Sequence, residues 1–154
     1  MSMTDERRLE IAYHEAGHVV ACLVFGHAFD SVHVEDDRSS VKYSKWCERG
    51  PTNEYDDKRL RERMVVYYAG LAAQRLYNPE AQQSEAGEDY LYADRVYSHI
   101  EYPPSAFWFV REARDFADKY SEAIEVLAAE LAKQRTLQFD QARELVEPLI
   151  GKVI

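Results

Sequence analysis

The stretch Ala12-Tyr13-His14-Glu15-Ala16-Gly17-His18 organises this chain, because it carries the pattern H-E-x-x-H inside a segment with helical periodicity. Two histidines four residues apart lie on one face of a helix, one turn from each other, so their ring nitrogens can converge on one metal ion. Glu15 follows the first histidine and points beside that ion, where it can take a proton from a bound water. Zinc accepts two neutral imidazoles and a carboxylate and keeps a fourth position open for water.

The surroundings of this motif favour a buried metal helix over a surface helix with two solvated histidines. Apolar residues flank the motif on both sides: Ile11, Val19, Val20, Leu23, Val24 and Phe25. Two imidazoles and a carboxylate in such a setting would cost free energy without polar partners, and a metal ion supplies those partners.

The composition predicts one domain over residues 1–154, with C-terminal helices from about 105 to 154. The formal net charge of −9 argues against nucleic acid and against an anionic membrane surface as partners. The sequence shows no membrane-length apolar run and no signal-peptide core, so we expect a cytoplasmic protein. Cys22 lies one turn beyond His18 and could approach the metal, but a small buried core residue is the simpler interpretation.

The first part of the chain predicts a helix followed by a hairpin. Helical periodicity runs from Asp5 to Phe25 and stops at Gly26, a residue typical of helix ends. Between Phe29 and Ser44, apolar and polar residues alternate on both sides of a turn at 36–39, which predicts a β-hairpin. The outer edge of this hairpin could accept an extended peptide as an added strand, or the hairpin could be a cap with no substrate role.

The rest of the chain predicts four further helices. They run from about Glu54 to Tyr77, from Ser84 to about Tyr102, from a Ser105 cap to about Arg135, and from an Asp140 cap to about Leu149, with a bend at 136–139. The predicted fold is therefore mainly α, a compact helical domain with a small β-hairpin after the first, metal-binding helix.

Small residues form a patch in the second of these helices, at Ala69-Gly70 and Ala72-Ala73. Small side chains let another backbone approach closely. We therefore expect this patch to cross the metal helix.

Three acidic residues open the third helix and compete for the role of third metal ligand: Glu85, Glu88 and Asp89. Acidic residues in a first turn usually complement the helix dipole, and the residues alone do not choose among the three. The other histidines, His27, His33 and His99, lie outside any convergent cluster and are expected to be exposed or hydrogen-bonded. If His33 points inward from the hairpin, it could steady an oxyanion.

Three stretches of the chain resemble the FtsH-type, ATP-dependent zinc metalloprotease family. Residues 7–21, reading RRLEIAYHEAGHVVA, look like its metal helix. Residues 68–76 resemble the family's A-G-x-A-A-E-x-L helix. Residues 123–145, with Arg135-Thr136-Leu137, resemble its C-terminal helix pair and the E-T-L link. The resemblance keeps the order of these stretches and spans nearly the whole chain.

The resemblance implies that Asp89 is the third zinc ligand, because 84–89 matches the place of the family's T-G-A-x-N-D pattern. This chain departs from that pattern at Glu85, where the family has Gly, and at Glu88, where it has Asn. The family's ATPase and membrane helices are missing from the chain, and Ser40 to Ser44 lacks the apolar, glycine-containing character of the family's substrate strand.

The expected reaction is hydrolysis of a peptide bond, with one Zn²⁺ held by His14, His18 and Asp89 and with Glu15 as the general base. We expect an unfolded protein or a peptide as substrate, supplied with or without a separate ATPase partner, and the sequence is compatible with a homo-oligomer. Two alternatives stay open: a zinc amidase or esterase that uses the same site, and a metal-binding, non-catalytic interaction module that partners an ATPase or a protease.

Overall fold

The computed structural model describes residues 3–35, 39–43 and 57–151. Six helices lie in these ranges: α1 Met3–Phe25, α2 Asp57–Tyr77, α3 Gly87–Tyr97, α4 Ala106–Lys119, α5 Ser121–Gln134 and α6 Phe139–Ile150. Three strands accompany them: β1 Phe29–Val34, β2 Ser39–Tyr43 and β3 Thr136–Gln138. The predicted class, mainly α with a small hairpin after the first helix, is confirmed.

Helix α1 is the central element, because it packs against α2 on one side and against α5 on another. Its apolar residues form the middle of the hydrophobic core, where Ala16, Val19 and Val20 are fully buried. The helix ends as predicted at Gly26, whose φ of 73° lies in the left-handed region that glycine adopts without strain. The backbone N–H of His27 then donates to the carbonyl of Cys22 at 2.8 Å and closes the last turn.

Helices α1 and α2 cross at a contact made of small residues. A Cβ atom built on Gly17 would lie 2.3 Å from the carbonyl oxygen of Ala69 and 2.6 Å from the Cβ of Ala73. Only a residue without a side chain allows this separation of the two backbones. The predicted crossing of the small-residue patch over the metal helix is therefore confirmed.

The predicted hairpin forms and gains a third strand, in the order β2-β1-β3 with both pairings antiparallel. In the register, Val32 of β1 faces Val41 on one side and Leu137 on the other. The bend predicted at 136–139 is wrong, because these residues supply β3 and the start of α6. Arg135 adopts a φ of 69° and turns the chain onto the sheet, where its carbonyl accepts from the N–H of Val34 at 2.8 Å.

The single long helix predicted from Ser105 to Arg135 is wrong, because the helix is interrupted at Tyr120. Helix α4 packs against α2, whereas α5 packs against α1. A straight helix could not reach both partners, so the change of direction is set by tertiary packing. The predicted cap is confirmed, since the Ser105 hydroxyl accepts from the N–H of Phe107 at 3.2 Å.

Other predicted helix ends are changed or not described. Helix α3 begins at Gly87 instead of Ser84, after a short 3₁₀ helix at Gln83–Ala86, and ends at Tyr97 instead of Tyr102. Helix α6 begins at Phe139, and its first turn is capped by Gln138 and Gln141 instead of Asp140. The start predicted for the second helix, at Glu54, lies outside the described residues. In the part of the chain that the structure describes, no helix combines the length and apolarity needed to cross a membrane.

Candidate metal centre

The structure brings His14, His18 and Asp89 together at the contact between α1, α2 and α3. One ligand atom from each residue lies within 4.8 Å of the others, so the group could hold a metal ion. The Nε2 atoms of the two histidines lie 2.8 Å and 3.2 Å from the same Oδ2 atom of Asp89. This convergence of two imidazoles and a carboxylate is the donor set that divalent transition metals bind in proteins.

Gly70 of α2 packs against the two imidazole rings of this group and forms one wall of it. A Cβ atom at this position would lie 2.4 Å from Nε2 of His18 and 2.7 Å from Nε2 of His14. The backbone of α2 therefore passes directly beneath the two nitrogens that face Asp89. The glycine leaves room between the rings and the helix, and the donor set together with this space fits a metal ion.

The second nitrogen of each imidazole has its own acceptor. Nδ1 of His14 lies 2.8 Å from Oε1 of Gln74, and Nδ1 of His18 lies 2.7 Å from the backbone oxygen of Val66. Histidines that bind metals usually donate their other N–H to an amide, carbonyl or carboxylate in this way, which fixes the ring and its tautomer. Both rings therefore have Nε2 available for the metal.

The electrostatics of the metal-free group favour a positive charge on His18. Burial lowers the pKa of His18, but the charge of Asp89, the hydrogen bond to it, the charge of Glu15 and the Val66 carbonyl outweigh burial and raise it to about 9. Burial raises the pKa of Asp89, but the two imidazoles outweigh burial and hold it well below its usual range. A divalent cation between these groups would take the place of the proton on His18.

Glu15 lies on α1 between the two histidines and is almost fully buried, with 6% of its surface exposed. Its charge contributes to the raised pKa of His18, so the two side chains lie within electrostatic range. The predicted general base is therefore buried, and it lies on the same helix as the two histidines, directly after the first.

The other two acidic candidates lie outside the metal-binding group. Glu85 accepts from Arg7 at 3.0 Å and from Gln74 at 3.3 Å, so it belongs to a network behind His14. Glu88 is exposed, with the hydroxyl of Tyr92 3.5 Å away. Residue-based reasoning left the choice among the three open, and the structure brings only Asp89 of them to the histidines.

The remaining sequence candidates also lie elsewhere. His27 is buried 3.5 Å from a carboxylate oxygen of Glu62, and His99 is exposed. His33 forms a hydrogen bond with Thr136 at 2.7 Å and its side chain is 42% exposed, so it does not point into the core beside the metal group. Cys22 is a fully buried core residue, as its simpler interpretation predicted.

Sequence reasoning missed the residues that support the ligands. Gln74, Glu10 and Arg7 form a hydrogen-bonded chain behind His14, and Gly70 makes the space beneath the rings. One signal was present in the sequence. Gln74 is a polar residue one turn after Gly70 in an otherwise apolar part of α2, and such a buried amide requires polar partners.

Comparison of the chain with protein-family models and with curated proteins gives no match.

Proposed function

We propose that this domain is a zinc-dependent metallopeptidase that hydrolyses peptide bonds. The observation that carries the proposal is the convergence of His14, His18 and Asp89, with the buried Glu15 directly after the first of them on the same helix. Three protein ligands leave a coordination position for water, which is the arrangement of catalytic zinc sites, whereas structural sites are usually closed by four protein ligands.

His14, His18 and Asp89 would hold the ion through two Nε2 atoms and one carboxylate oxygen. When bound, the ion would supply a water with a pKa of about 7 and would polarise the scissile carbonyl. The protein supplies the remaining chemistry through Glu15, whose carboxylate accepts the proton of the attacking water and then donates it to the leaving amine. Burial of Glu15 keeps bulk water from competing for this transfer.

The sequence resemblance supports the same proposal independently of the geometry. The metal helix, the small-residue helix and the C-terminal helix pair each resemble FtsH-type zinc metalloproteases. The substrate that we propose is an unfolded protein or a short peptide. A separate ATPase would extend the range of substrates to folded proteins.

A zinc amidase or esterase would use the same residues in the same roles, so substrate tests separate it from a peptidase. A non-catalytic metal module has no need of a general base. The buried Glu15 beside the ligands therefore favours an enzyme.

The test compares the zinc-loaded wild-type protein with Glu15→Gln on casein, quenched fluorescent peptides, small amides and esters. We expect Glu15→Gln to lower peptide turnover by about 10²- to 10⁴-fold, since this is the contribution of a positioned general base, and to keep one bound zinc. Glu88→Gln is the matched control, because it makes the same chemical change on an exposed side chain, and it should keep full turnover.

Loss of zinc from Glu15→Gln would instead make Glu15 a ligand or a structural group. Turnover of esters or small amides without cleavage of any peptide would assign the alternative enzyme class. A wild-type protein that binds zinc and turns over none of these substrates would overturn the enzyme proposal.

A further inference from the structure

Gln74 occupies a buried position between one ligand and two carboxylates. Its side-chain oxygen lies 2.8 Å from Nδ1 of His14. Its side-chain nitrogen lies 2.7 Å from an oxygen of Glu10 and 3.3 Å from an oxygen of Glu85. Only 3% of the residue is exposed, so these contacts replace those that water would make.

The two carboxylates fix the orientation of this amide. An ionised carboxylate only accepts hydrogen bonds, so the NH₂ group of Gln74 must face Glu10 and Glu85. The reversed amide would place its oxygen against two negatively charged groups. Oε1 therefore faces His14, and this oxygen can only accept, so Nδ1 of His14 must carry a hydrogen.

We propose that Gln74 is a positioning residue that holds His14 with its hydrogen on Nδ1 and its Nε2 directed at the metal, and that Glu10 and Glu85 hold Gln74 in the orientation this requires. His18 needs no such side chain, because the backbone carbonyl of Val66 does the same for its Nδ1 at 2.7 Å. The proposal depends on metal binding by the group described above and is independent of whether the site hydrolyses peptides.

The surrounding contacts tie this network to both helices that carry the candidate ligands, α1 and α3, and to α2. Arg7 of α1 lies 2.6 Å from Glu10 and 3.0 Å from Glu85, so its charge offsets the repulsion between the two carboxylates. The amide of Asn78 donates to the second oxygen of Glu10 at 2.8 Å. Glu85 lies in the turn directly before α3, the helix that carries Asp89. The network therefore links α1, α2 and the start of α3 behind the metal group.

The first experiment measures zinc affinity by chelator competition for the wild type and for Gln74→Met, which keeps the size of the side chain and removes the acceptor. We expect Gln74→Met to bind zinc about 10- to 100-fold more weakly, the usual effect of removing such a supporting hydrogen bond. Gln134→Met is the matched control, because Gln134 is exposed on α5, and it should bind zinc as the wild type does.

The second readout is one that a merely structural role would not change. In zinc-loaded protein with ¹⁵N-labelled histidine, we expect slowly exchanging Nδ1 protons on both His14 and His18. Gln74→Met should lose protection of the His14 proton and keep that of His18, which serves as an internal control for folding. Gln74→Glu should keep both, because a carboxylate is also an acceptor. Unchanged zinc affinity in Gln74→Met, or a His14 proton that stays protected in it, would overturn the proposal.

The third experiment exchanges the two side chains that face each other. Gln74→Glu places a third carboxylate beside Glu10 and Glu85, so the metal-free variant should melt at a lower temperature than the wild type. The double variant Glu10→Gln/Gln74→Glu has the wild-type net charge and again places only two carboxylates here, so it should regain most of this loss. A double variant no more stable than Gln74→Glu would contradict the orienting role of Glu10. None of these readouts uses peptide hydrolysis, so they succeed or fail separately from the Glu15 experiment.

Discussion

Gly70 lies directly beneath His18: a Cβ atom on the glycine would come within 2.4 Å of the imidazole Nε2. This is the nitrogen that faces Asp89, and Nε2 of His14 lies almost as close, at 2.7 Å from the same point. The backbone of α2 therefore forms one wall of the metal-binding group. The space for an ion exists because this wall carries no side chain.

Gly70→Ala should accordingly lose metal affinity, because the methyl group enters the space between the rings. We expect zinc to bind at least about tenfold more weakly, measured by chelator competition. Gly87→Ala is the matched control, since a Cβ there meets no atom within 4 Å and its backbone is already helical. That control should keep its zinc affinity and gain roughly 0.4–1 kcal/mol of stability. Zinc binding by Gly70→Ala as tight as that of the wild type would contradict this prediction, because it would mean that the two imidazole rings can move away from the added methyl group.

Gly17→Ala should destabilise the whole domain, because its Cβ would lie 2.3 Å from the Ala69 carbonyl oxygen and force α1 and α2 apart. Overpacking of this kind costs about 1–3 kcal/mol, which urea unfolding of the metal-free protein would measure. Zinc affinity should fall as well, since the two helices carry His14, His18 and Gly70. An unfolding midpoint equal to that of the wild type would mean that α1 and α2 can move apart at this contact without loss of stability.

Zinc binding should release a proton at neutral pH. Although burial lowers the pKa of His18, Asp89, Glu15 and the Val66 carbonyl raise it to about 9, so the ring is protonated at pH 7 and the metal must displace that proton. Affinity should therefore increase as the pH rises towards 9. Calorimetry at pH 7 in buffers with different ionisation enthalpies should report a net release of about one proton. A binding enthalpy that does not depend on the buffer would contradict this prediction.

The same raised pKa gives the stability of the metal-free protein the opposite pH dependence: stability falls as the pH rises, whereas zinc affinity increases. The ion pair between His18 and Asp89 stabilises the fold fully below the unfolded-state pKa of about 6.5, and this contribution is lost as the pH rises through about 9. Urea unfolding of chelator-treated wild type and Asp89→Asn should show a stability difference that shrinks between these limits. A difference that stays constant from pH 6 to 9 would be inconsistent with a charged His18.

His27 should make the fold sensitive to acid. Burial lowers its pKa to about 3, with the charges of Arg63 and Arg59 acting in the same direction. The unfolded chain therefore takes up a proton first as the pH falls below about 6.5, and stability decreases by up to about 1.4 kcal/mol per pH unit. His27→Gln should show a shallower loss between pH 6.5 and 4.5 in urea unfolding. A His27 ring that titrates near pH 6.5 by NMR would refute this interpretation.

The sequence alone could locate two candidate ligands and the proposed base, because their spacing follows from the local period of one helix. The third candidate ligand could not be located in this way. Glu85, Glu88 and Asp89 have the same chemistry and lie within one short stretch, and the rotation of α3 against α1 decides which of them faces the histidines. That rotation is a tertiary property, so residue reasoning left it open and only the family resemblance pointed to Asp89.

Tertiary packing also explains the two elements that the sequence did not predict, the break between α4 and α5 and the strand β3. The apolar period continues through Tyr120, so nothing local marks the break between α4 and α5, which exists because the two helices pack on different partners. Strand β3 has only three residues, of which Leu137 alone is buried, and it is a strand only through its pairing with β1. Pairings over about a hundred residues leave no pattern in a segment this short.

The two supports of the imidazoles differ in how they respond to mutation. Position 66 contributes its main-chain carbonyl, so any residue that keeps the helix intact preserves the bond to His18. Position 74 contributes a side chain, and a single codon change can remove the bond to His14. One substitution at position 74 can therefore release the His14 ring while the ring of His18 stays held by the main chain.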